Sequence, residues 1–399
     1  MFDDVPCLED LGRVSGKYVL VRADLNVPLE RSPSGSMVVA DDFRIQAALP
    51  TLAYLVDGGA KVTVASHLGR PHGKPNPELS MEPVKAMLAK LLPTVQVLEN
   101  LRFDPGEEGN DPAFGMRLTQ GQDLYVNDAF GVCHRSHASI TFPPTVLPSA
   151  AGRLLRRELD ALGSVMDSPA RPFTLVAGGA KVQDKLGAVR ALSSRADQVL
   201  VGGAMAFTFL GAMGREVGNA ELDPLEVKAC SELLEAVTTF ELPGDLVATQ
   251  AGGASAWGDP GSEIRCFIGD VPGNWQALDI GPLTQQRFAE KIAGSATVLW
   301  NGPMGVFEDP RFAAGTEAVA RAVASCKGFT LIGGGDTVRA VSALGLAGSI
   351  GHVSSGGGAM LALIQGEDLP GIVALQLPRT AAPATEPLCG ESGRQGRSK

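Results

Sequence analysis

The chain has 399 residues, of which 34 are Lys or Arg and 44 are Asp or Glu, so its formal net charge is -10. This acidic balance argues against nucleic acid or a membrane as a partner, because both prefer basic surfaces. The 6 cysteines form no CxxC pair, which argues against a zinc site or a disulfide framework and favours reduced thiols in a cytoplasmic protein. The length predicts two or three domains.

Short apolar runs alternate with glycine-rich or polar turns and helical stretches along the whole chain. The runs of the first half are YVLVRADLN, KVTVASHLGR, VQVLENLRF and LYVNDAFG, and those of the second half are FTLVAGGAK, QVLVGGAMA, DLVATQ, TVLWNGPMG, FTLIGGGDT and GHVSSGGGA. Because these runs are continuous rather than alternating, they predict parallel strands buried on both faces. We therefore predict an α/β protein with two doubly wound, Rossmann-like parallel-sheet domains, joined by a helix across a hinged cleft.

Two helices of the first half can be predicted in more detail. Asp41 and Asp42 are candidate caps of a helix that buries Ile45 and Leu52 and ends at Gly58. The amphipathic stretch 150–166 predicts the helix that links the domains. The predicted limits are 1–166 for the first domain with this helix, 167–360 for the second domain, and 379–399 for a disordered tail rich in Pro, Ala, Thr, Gly and Ser.

Charged side chains follow the predicted strands of the first half, at the edge where a doubly wound sheet binds ligands. They comprise Arg22, Asp24, Asn26, His67, Arg70, Arg102, His134, Arg135 and His137, with Arg44 in the first turn of a helix. Each arginine alone fits a surface salt bridge, but the set predicts a site for a small, multiply charged anion. A metal site between the last two histidines is not expected, because no third ligand is evident.

Glycine-rich turns follow the strands of the second half instead. They lie at 178–179, 202–203, 301–305, 333–335 and 356–358. Backbone amides in such turns can hold phosphates, and Asp336 beside one of them is a candidate magnesium ligand. Lys181 and Lys185 are spaced to share one helix face. The chain has no GxxxxGK[ST] and no clean GxGxxG, so neither a P-loop nor a dinucleotide site is expected. The two halves together predict phosphoryl transfer across a cleft.

The order of the motifs identifies a family. VLVRADLNVP, DDFRI, SHLGRP, LENLRF, YVNDAFG with HRSH, GGAKVQDK, LDIGP, WNGPMGVFE, GGGDT and VSSGGGA follow one another between about residues 16 and 375. Together they closely resemble the phosphoglycerate kinase family. The resemblance implies magnesium-dependent, reversible phosphoryl transfer between ATP and the carboxylate of 3-phosphoglycerate, in glycolysis and gluconeogenesis. It also implies a hinge-bending, cytoplasmic monomer in which segment 361–378 returns to the first domain.

The resemblance assigns roles to individual residues. Those implied for 3-phosphoglycerate are Asp24, Asn26, Arg44, His67, Arg70, Arg102, His134 and Arg135. Arg44 and Lys181 would flank the migrating phosphoryl group as the catalytic pair. Those implied for the nucleotide are Lys185, Gly202, Gly203, Glu308, Gly333, Gly334, Gly335, Asp336, Thr337, Gly356, Gly357 and Gly358, with Glu308 on the ribose and Asp336 on magnesium. The carboxylate acceptor is already ionised at neutral pH, so no general base is expected.

The sequence departs from the usual family pattern at seven positions. These are Val132, Cys133, Gly244, Thr249, Gln250, Arg339 and Met360; a small residue is usual at 339 and a serine at 360. Every charged motif position is kept. Two alternatives remain open. A catalytically weak relative that binds nucleotide or a protein would be expected to lose a charged motif residue, and a dehydrogenase would need a GxGxxG motif.

Overall fold

The computed structural model describes residues 2–180, 182–250, 259 and 261–377. The first part of the chain contains strands β1 (Tyr18–Ala23), β2 (Leu29–Arg31), β3 (Met37–Val39), β4 (Lys61–Ala65), β5 (Gln96–Val97), β6 (Leu124–Asp128) and β7 (Ser149–Ala151). Its helices are α1 (Phe43–Asp57), α2 (Glu82–Leu91), α3 (Pro105–Glu108), α4 (Pro112–Thr119), α5 (Ala138–Thr141), α6 (Pro143–Val146) and α7 (Arg153–Asp167). Five of the strands form a parallel sheet in the order β5-β4-β1-β6-β7, while β2 and β3 form a hairpin.

The second part contains strands β8 (Phe173–Ala177), β9 (Gln198–Val201), β10 (Phe240–Glu241), β11 (Asp245–Gln250), β12 (Ile264–Ile268), β13 (Trp275–Ile280), β14 (Thr297–Asn301), β15 (Phe329–Gly333) and β16 (His352–Val353). Its helices are α8 (Gln183–Ser193), α9 (Gly203–Ala212), α10 (Pro224–Ala236), α11 (Pro282–Ala293), α12 (Ala314–Ser325), α13 (Gly335–Ala343), α14 (Gly357–Ile364) and α15 (Pro370–Gln376). A parallel sheet has the order β10-β9-β8-β14-β15-β16, and β12-β11-β13 form a separate antiparallel sheet. Every helix in the described part of the chain is too short or too polar to cross a membrane.

The predicted fold class is confirmed, since each parallel sheet winds outward from its first strand in both directions. The strand order reverses at β1 in one sheet and at β8 in the other. Such a reversal opens a crevice at the carboxyl ends of the strands, where doubly wound proteins bind ligands. The residues that follow β1, β4 and β6, and those that follow β8 and β14, are thereby brought to the two candidate half-sites.

Two details of the prediction are wrong. The run DLVATQ was expected to be a parallel strand, but it is β11 and pairs antiparallel with β12 and β13. The linking helix was expected to begin at Ala150, but Ala150 and Ala151 belong to β7 and the helix begins at Arg153. The start of the helix depends on a residue distant in sequence. The buried Asp128 carboxylate accepts hydrogen bonds from the amides of Leu154 and Leu155 at 2.9 and 3.2 Å. Periodicity alone does not show such a partner.

The linking helix α7 also carries a buried polar contact with the second half of the chain. Glu158, fully buried on this helix, accepts hydrogen bonds from the amide and the hydroxyl of Ser355 at 2.6 and 2.7 Å. Its second oxygen lies 2.8 Å from Nε2 of His352. His352 lies in β16 and Ser355 follows that strand, so this one carboxylate connects the linking helix to the end of β16.

The end of the described chain lies against the first domain. In α15, the Gly371 amide donates to the carbonyl of Cys133 at 2.9 Å, and Gln376 Nε2 donates to Asp4 at 2.9 Å. Helix α14 runs across residue 360, the predicted boundary of the second domain. The domain limits remain predictions, and residues 378–399, including the tail expected to be disordered, lie outside the described residues.

Replacing Glu158 by alanine should lower the free energy of unfolding by roughly 3 kcal/mol, because it leaves the Ser355 amide and hydroxyl buried without an acceptor. Differential scanning calorimetry would measure the change. Glu317→Ala on α12 removes a partly exposed carboxylate and should change stability by less than about 0.5 kcal/mol. Equal effects of the two substitutions would contradict the interdomain role of Glu158.

Candidate functional site

The first half-site begins at the end of β1. The buried carboxylate of Asp24 accepts a hydrogen bond from Nη1 of Arg44, which lies in the first turn of α1. Nη2 of Arg44 donates to the carbonyl of Ser355 in the second domain, at 3.2 Å. Arg44 is therefore held by both domains and is not a solvated surface residue of its helix.

The electrostatics of Asp24 follow from this pairing. Burial disfavours its charged form, but the positive charges around it, that of Arg44 above all, outweigh burial and lower the pKa of Asp24 to about 2. Asp24 is thus ionised throughout the physiological range. It cancels part of the local positive charge and holds the Arg44 guanidinium towards the cleft.

The loop that follows β4 is held from two sides. The Gly69 amide donates to Oδ1 of Asn26 at 2.8 Å, and Nη1 of Arg102 donates to the Gly69 carbonyl at 2.8 Å. Arg70, the next residue, is exposed. His67 in the same loop is buried, and burial holds its pKa well below the ordinary value. The histidine is therefore a neutral hydrogen-bonding group at neutral pH.

The turn after β6 brings His134 and Arg135 to the same sheet edge. Arg135 is exposed, whereas His134 is half-buried, and burial together with the Arg135 charge lowers the pKa of His134. Nδ1 of His134 is buried and makes no hydrogen bond within the described part of the chain. Its Nε2 lies 3.4 Å from where a Cβ of Gly358 would be, so the histidine faces the second domain. The structure thus brings the predicted first-domain residues to one edge.

Arg22 has a different role from its neighbours. Its side chain is fully buried, its Nε donates to the Ser139 hydroxyl at 2.8 Å, and that hydroxyl donates to Glu107 at 2.7 Å. Arg22 was counted with the anion-binding arginines in the sequence, but here it supports the site from beneath. Glu107 lies far from Arg22 in sequence, and no motif could have indicated the pair.

The second half-site lies in the crevice between β8 and β14. The Gly178 amide donates to the Asn301 carbonyl at 3.0 Å, and the Gly179 amide donates to the Pro303 carbonyl at 2.8 Å. Gly302 has a φ of 100°, and a Cβ there would overlap the Gly178 carbonyl, so only glycine fits. The two turns therefore pack backbone against backbone and leave room beside them for a ligand.

Two adjoining cavities open at this crevice. One, of about 650 Å³, is lined by apolar residues that include Phe207, Leu278 and Val306 and by polar ones that include Glu221, Glu226 and Glu308, with Gly203 beside them. The other, of about 550 Å³, is lined by Lys185, Asn301, Gly334, Gly335, Thr337, Gly357 and Gly358. Asp336 borders both cavities. The first has the character of a site for a flat apolar ring, and the second that of a phosphate site.

Asp336 is the second residue of α13, and 68% of its side chain is exposed. A single carboxylate beside a phosphate cavity fits magnesium, which proteins hold through one or two carboxylates with substrate phosphates and water as the other ligands. The neighbouring Thr337 is buried, and its hydroxyl accepts the Gly302 amide hydrogen at 2.7 Å. Lys185 donates to the Gly178 carbonyl at 2.6 Å.

The remaining predicted nucleotide residues are distributed differently. Gly202, Gly333 and Gly356 do not line either cavity. A Cβ at Gly202 or Gly333 would overlap the Met304 or Met360 side chain, and one at Gly356 would lie 2.8 Å from Cα of Gly131 in the first domain. These glycines permit close packing. Lys181 lies outside the described residues.

Sequence reasoning missed several groups that border the second half-site. Asn301 lines the phosphate-type cavity and donates from Nδ2 to the Gly333 carbonyl at 3.0 Å. Its position at the end of β14 was a usable signal. Phe207 and Leu278 line the larger cavity, but an apolar residue in a helix or strand is typical of a core, and nothing in the sequence separates the two roles.

The chain is similar to phosphoglycerate kinases in all three comparisons. The family model for phosphoglycerate kinase matches residues 8–98 and 93–367. The phosphoglycerate kinases of Moorella thermoacetica and Salinispora tropica are each 46% identical to it, over 92% of this chain and 98% of their own length. Among solved structures, phosphoglycerate kinase from Coxiella burnetii has a TM-score of 0.83 at 32% identity, covering 93% of this chain and 98% of that one.

Asp24→Asn should destabilise the protein by about 2 kcal/mol at pH 7. The pKa of Asp24 in the folded protein, about 2, is below the ordinary aspartate pKa of 3.8, so the ionised carboxylate stabilises the fold above pH 4, and this contribution is lost as the pH falls towards 2. Urea unfolding midpoints should therefore differ equally between wild type and variant at pH 7 and 5, and less at pH 3. The control is Asp57→Asn at the exposed end of α1. An undiminished difference at pH 3 would contradict the pairing.

Proposed function

This chain belongs to the phosphoglycerate kinase family, and we infer that its first domain binds 3-phosphoglycerate and its second domain binds ATP or ADP. Its activity is the reversible transfer of a phosphoryl group between ATP and 3-phosphoglycerate, which gives ADP and 1,3-bisphosphoglycerate in glycolysis and gluconeogenesis. The comparisons give no support to a catalytically weak relative, and the family excludes a dehydrogenase. The observation that carries the division of substrates is the contrast between charged side chains at one sheet edge and glycine turns at the other.

The first-domain residues divide into two groups by their contacts. Arg70 and Arg135 are exposed and free to move towards an anion, whereas Arg102 is buried and anchored on the Gly69 carbonyl. We assign these three arginines to the phosphate of 3-phosphoglycerate, which does not change during the reaction. Asn26, His67 and His134 would bind the remainder of 3-phosphoglycerate. This assignment is supported by their position at the same sheet edge and by the lowered pKa of both histidines, which favours neutral rings.

Arg44 would act on the reacting groups. The carboxylate oxygen of 3-phosphoglycerate attacks the γ-phosphorus of ATP, and the bond from that phosphorus to the β-γ bridging oxygen breaks, so no proton moves. What the protein must supply is alignment and positive charge on the transferring group. Arg44 fits because its guanidinium, fixed by Asp24, already touches the second domain at Ser355. Lys181 would be its counterpart on the nucleotide side.

We assign the larger cavity to the base and ribose, and the smaller one to the phosphates. The apolar walls of the former suit a purine ring, and Glu308 at its edge suits the ribose hydroxyls. In the smaller cavity, Lys185, Thr337 and the glycine turns would hold the nucleotide phosphates. Asp336 between them would bind magnesium, which when present neutralises charge on the phosphate oxygens.

We further propose that the enzyme is a cytoplasmic monomer that closes on its substrates. Cys7, Cys133, Cys230, Cys266 and Cys326 are free in the described part of the chain, as suits a reducing compartment. Both half-sites belong to one chain, so the reaction needs no second copy. Closure would bring the reacting atoms to about 3–3.5 Å.

Arg44→Ala should reduce kcat by about 10²–10³, with little change in the KM for 3-phosphoglycerate, because it removes a donor to charge that moves during transfer. A coupled spectrophotometric assay with ATP, magnesium and 3-phosphoglycerate measures kcat and KM. Omitting each component in turn tests the reaction itself. Arg70→Ala is the matched comparison and should chiefly raise the KM. Arg44→Lys should restore activity only in part, since it keeps the charge but not the fork. Near-wild-type kcat in Arg44→Ala would contradict this role.

Asp336→Asn should abolish magnesium-dependent turnover and leave the affinity for 3-phosphoglycerate nearly unchanged. The reason is that Asp336 borders the two nucleotide cavities, while the charged set lies on the other domain. Isothermal titration of the variant with 3-phosphoglycerate measures the affinity. A large loss would contradict the assignment of the two substrates to separate domains.

A further inference from the structure

Arg339 occupies an unusual place beside the nucleotide cavities. It lies one turn after Asp336 on α13, and its Nη2 donates to Glu308 at 2.6 Å and to Asp336 at 3.1 Å. Its guanidinium carbon also lies 5.0 Å from the ring centre of Phe307. One cation thus connects two of the four carboxylates that line the larger cavity, Glu308 on the loop after β14 and Asp336 on α13.

The charges of this cluster are nearly balanced. Glu308 and Asp336 each contribute one negative charge and Arg339 one positive charge, so the three together carry a net charge of minus one. Without Arg339 the net charge would be minus two. A phosphate group approaching Asp336 would then meet stronger repulsion, and a divalent cation would meet stronger attraction.

The cluster is accessible to ligand and solvent. The exposed fractions of the side chains are 59% for Arg339, 68% for Asp336 and 41% for Glu308. Exposed ion pairs contribute little to folding, typically 0–1 kcal/mol. We therefore expect Arg339 to affect ligand binding by the two carboxylates rather than the stability of the domain.

On the basis of the proposed nucleotide site, we propose that Arg339 sets the preference between magnesium-bound and metal-free nucleotide. Its guanidinium offsets the Asp336 charge and so favours the metal-free, highly anionic nucleotide. It also competes with magnesium for the same carboxylate. Arg339 is thus a specificity-determining residue that lowers the advantage of the magnesium complex.

The test compares ADP binding in EDTA with ADP binding in excess magnesium, by isothermal titration calorimetry. Arg339→Ala should raise the dissociation constant of metal-free ADP by roughly 2- to 5-fold and lower that of the magnesium–ADP complex by a similar factor. The ratio of the two dissociation constants then shifts by roughly 4- to 25-fold. Arg339→Lys, which keeps the charge, should retain most of the wild-type ratio. The shift should shrink at 0.5 M salt, because exposed charges are screened.

Two controls separate this effect from a general one. Arg321→Ala removes an arginine of similar exposure, 60%, that pairs with Glu317 on α12, and it should leave the ratio unchanged. In an Asp336→Asn background, Arg339→Ala should no longer tighten the magnesium complex, since the carboxylate for which the two cations compete is gone.

The inference would be overturned if Arg339→Ala changed both dissociation constants by the same factor, or if it shifted their ratio in favour of metal-free ADP. A merely structural role predicts the same loss of affinity for both ligands. These results are distinguishable from failure of the proposed function. If the wild-type protein binds ADP in neither form, the nucleotide site is wrong and this inference falls with it. If the wild type binds both forms and the ratio does not respond to Arg339, this inference alone is overturned.

Discussion

The relation between the two half-sites depends on the buried carboxylate of Glu158. This carboxylate, on the linking helix, accepts hydrogen bonds from the amide and the hydroxyl of Ser355. The carbonyl of Ser355 in turn accepts a hydrogen bond from Arg44. A buried charge is costly unless it is fully paired, so few arrangements of the domains satisfy it. The two candidate half-sites therefore face each other across polar groups that are paired in this arrangement.

The two domains use the same architecture to different chemical ends. In the first, cationic side chains gather at the strand edge, and buried groups such as Arg22 and Glu107 hold that edge from beneath. In the second, backbone approaches backbone closely, as at Gly302 and Gly178, and the smaller cavity is lined largely by glycine turns. Side-chain charges can follow a small substrate, whereas fixed amide dipoles suit the regularly spaced phosphates of a nucleotide.

Much of this could be predicted from the sequence because its strongest signals are local. Continuous apolar runs predicted most of the parallel strands, and the residues after them predicted the two candidate half-sites. The failures share a physical cause. The start of α7 depends on Asp128, the direction of β11 depends on two partner strands, and the role of Arg22 depends on Glu107; each is a contact between distant residues. No local pattern records which partner a buried group will find.

The position of α15 has a consequence for how the protein is made. This last described helix contacts Cys133 and Asp4, so residues near residue 375 pack against the part of the chain that precedes the second parallel sheet. During synthesis the first domain emerges early but lacks this helix until nearly all the remaining chain has been translated. The second domain can complete its own sheet before that moment. The contacts of α15 with Cys133 and Asp4 can therefore form only after the whole second parallel sheet has been translated.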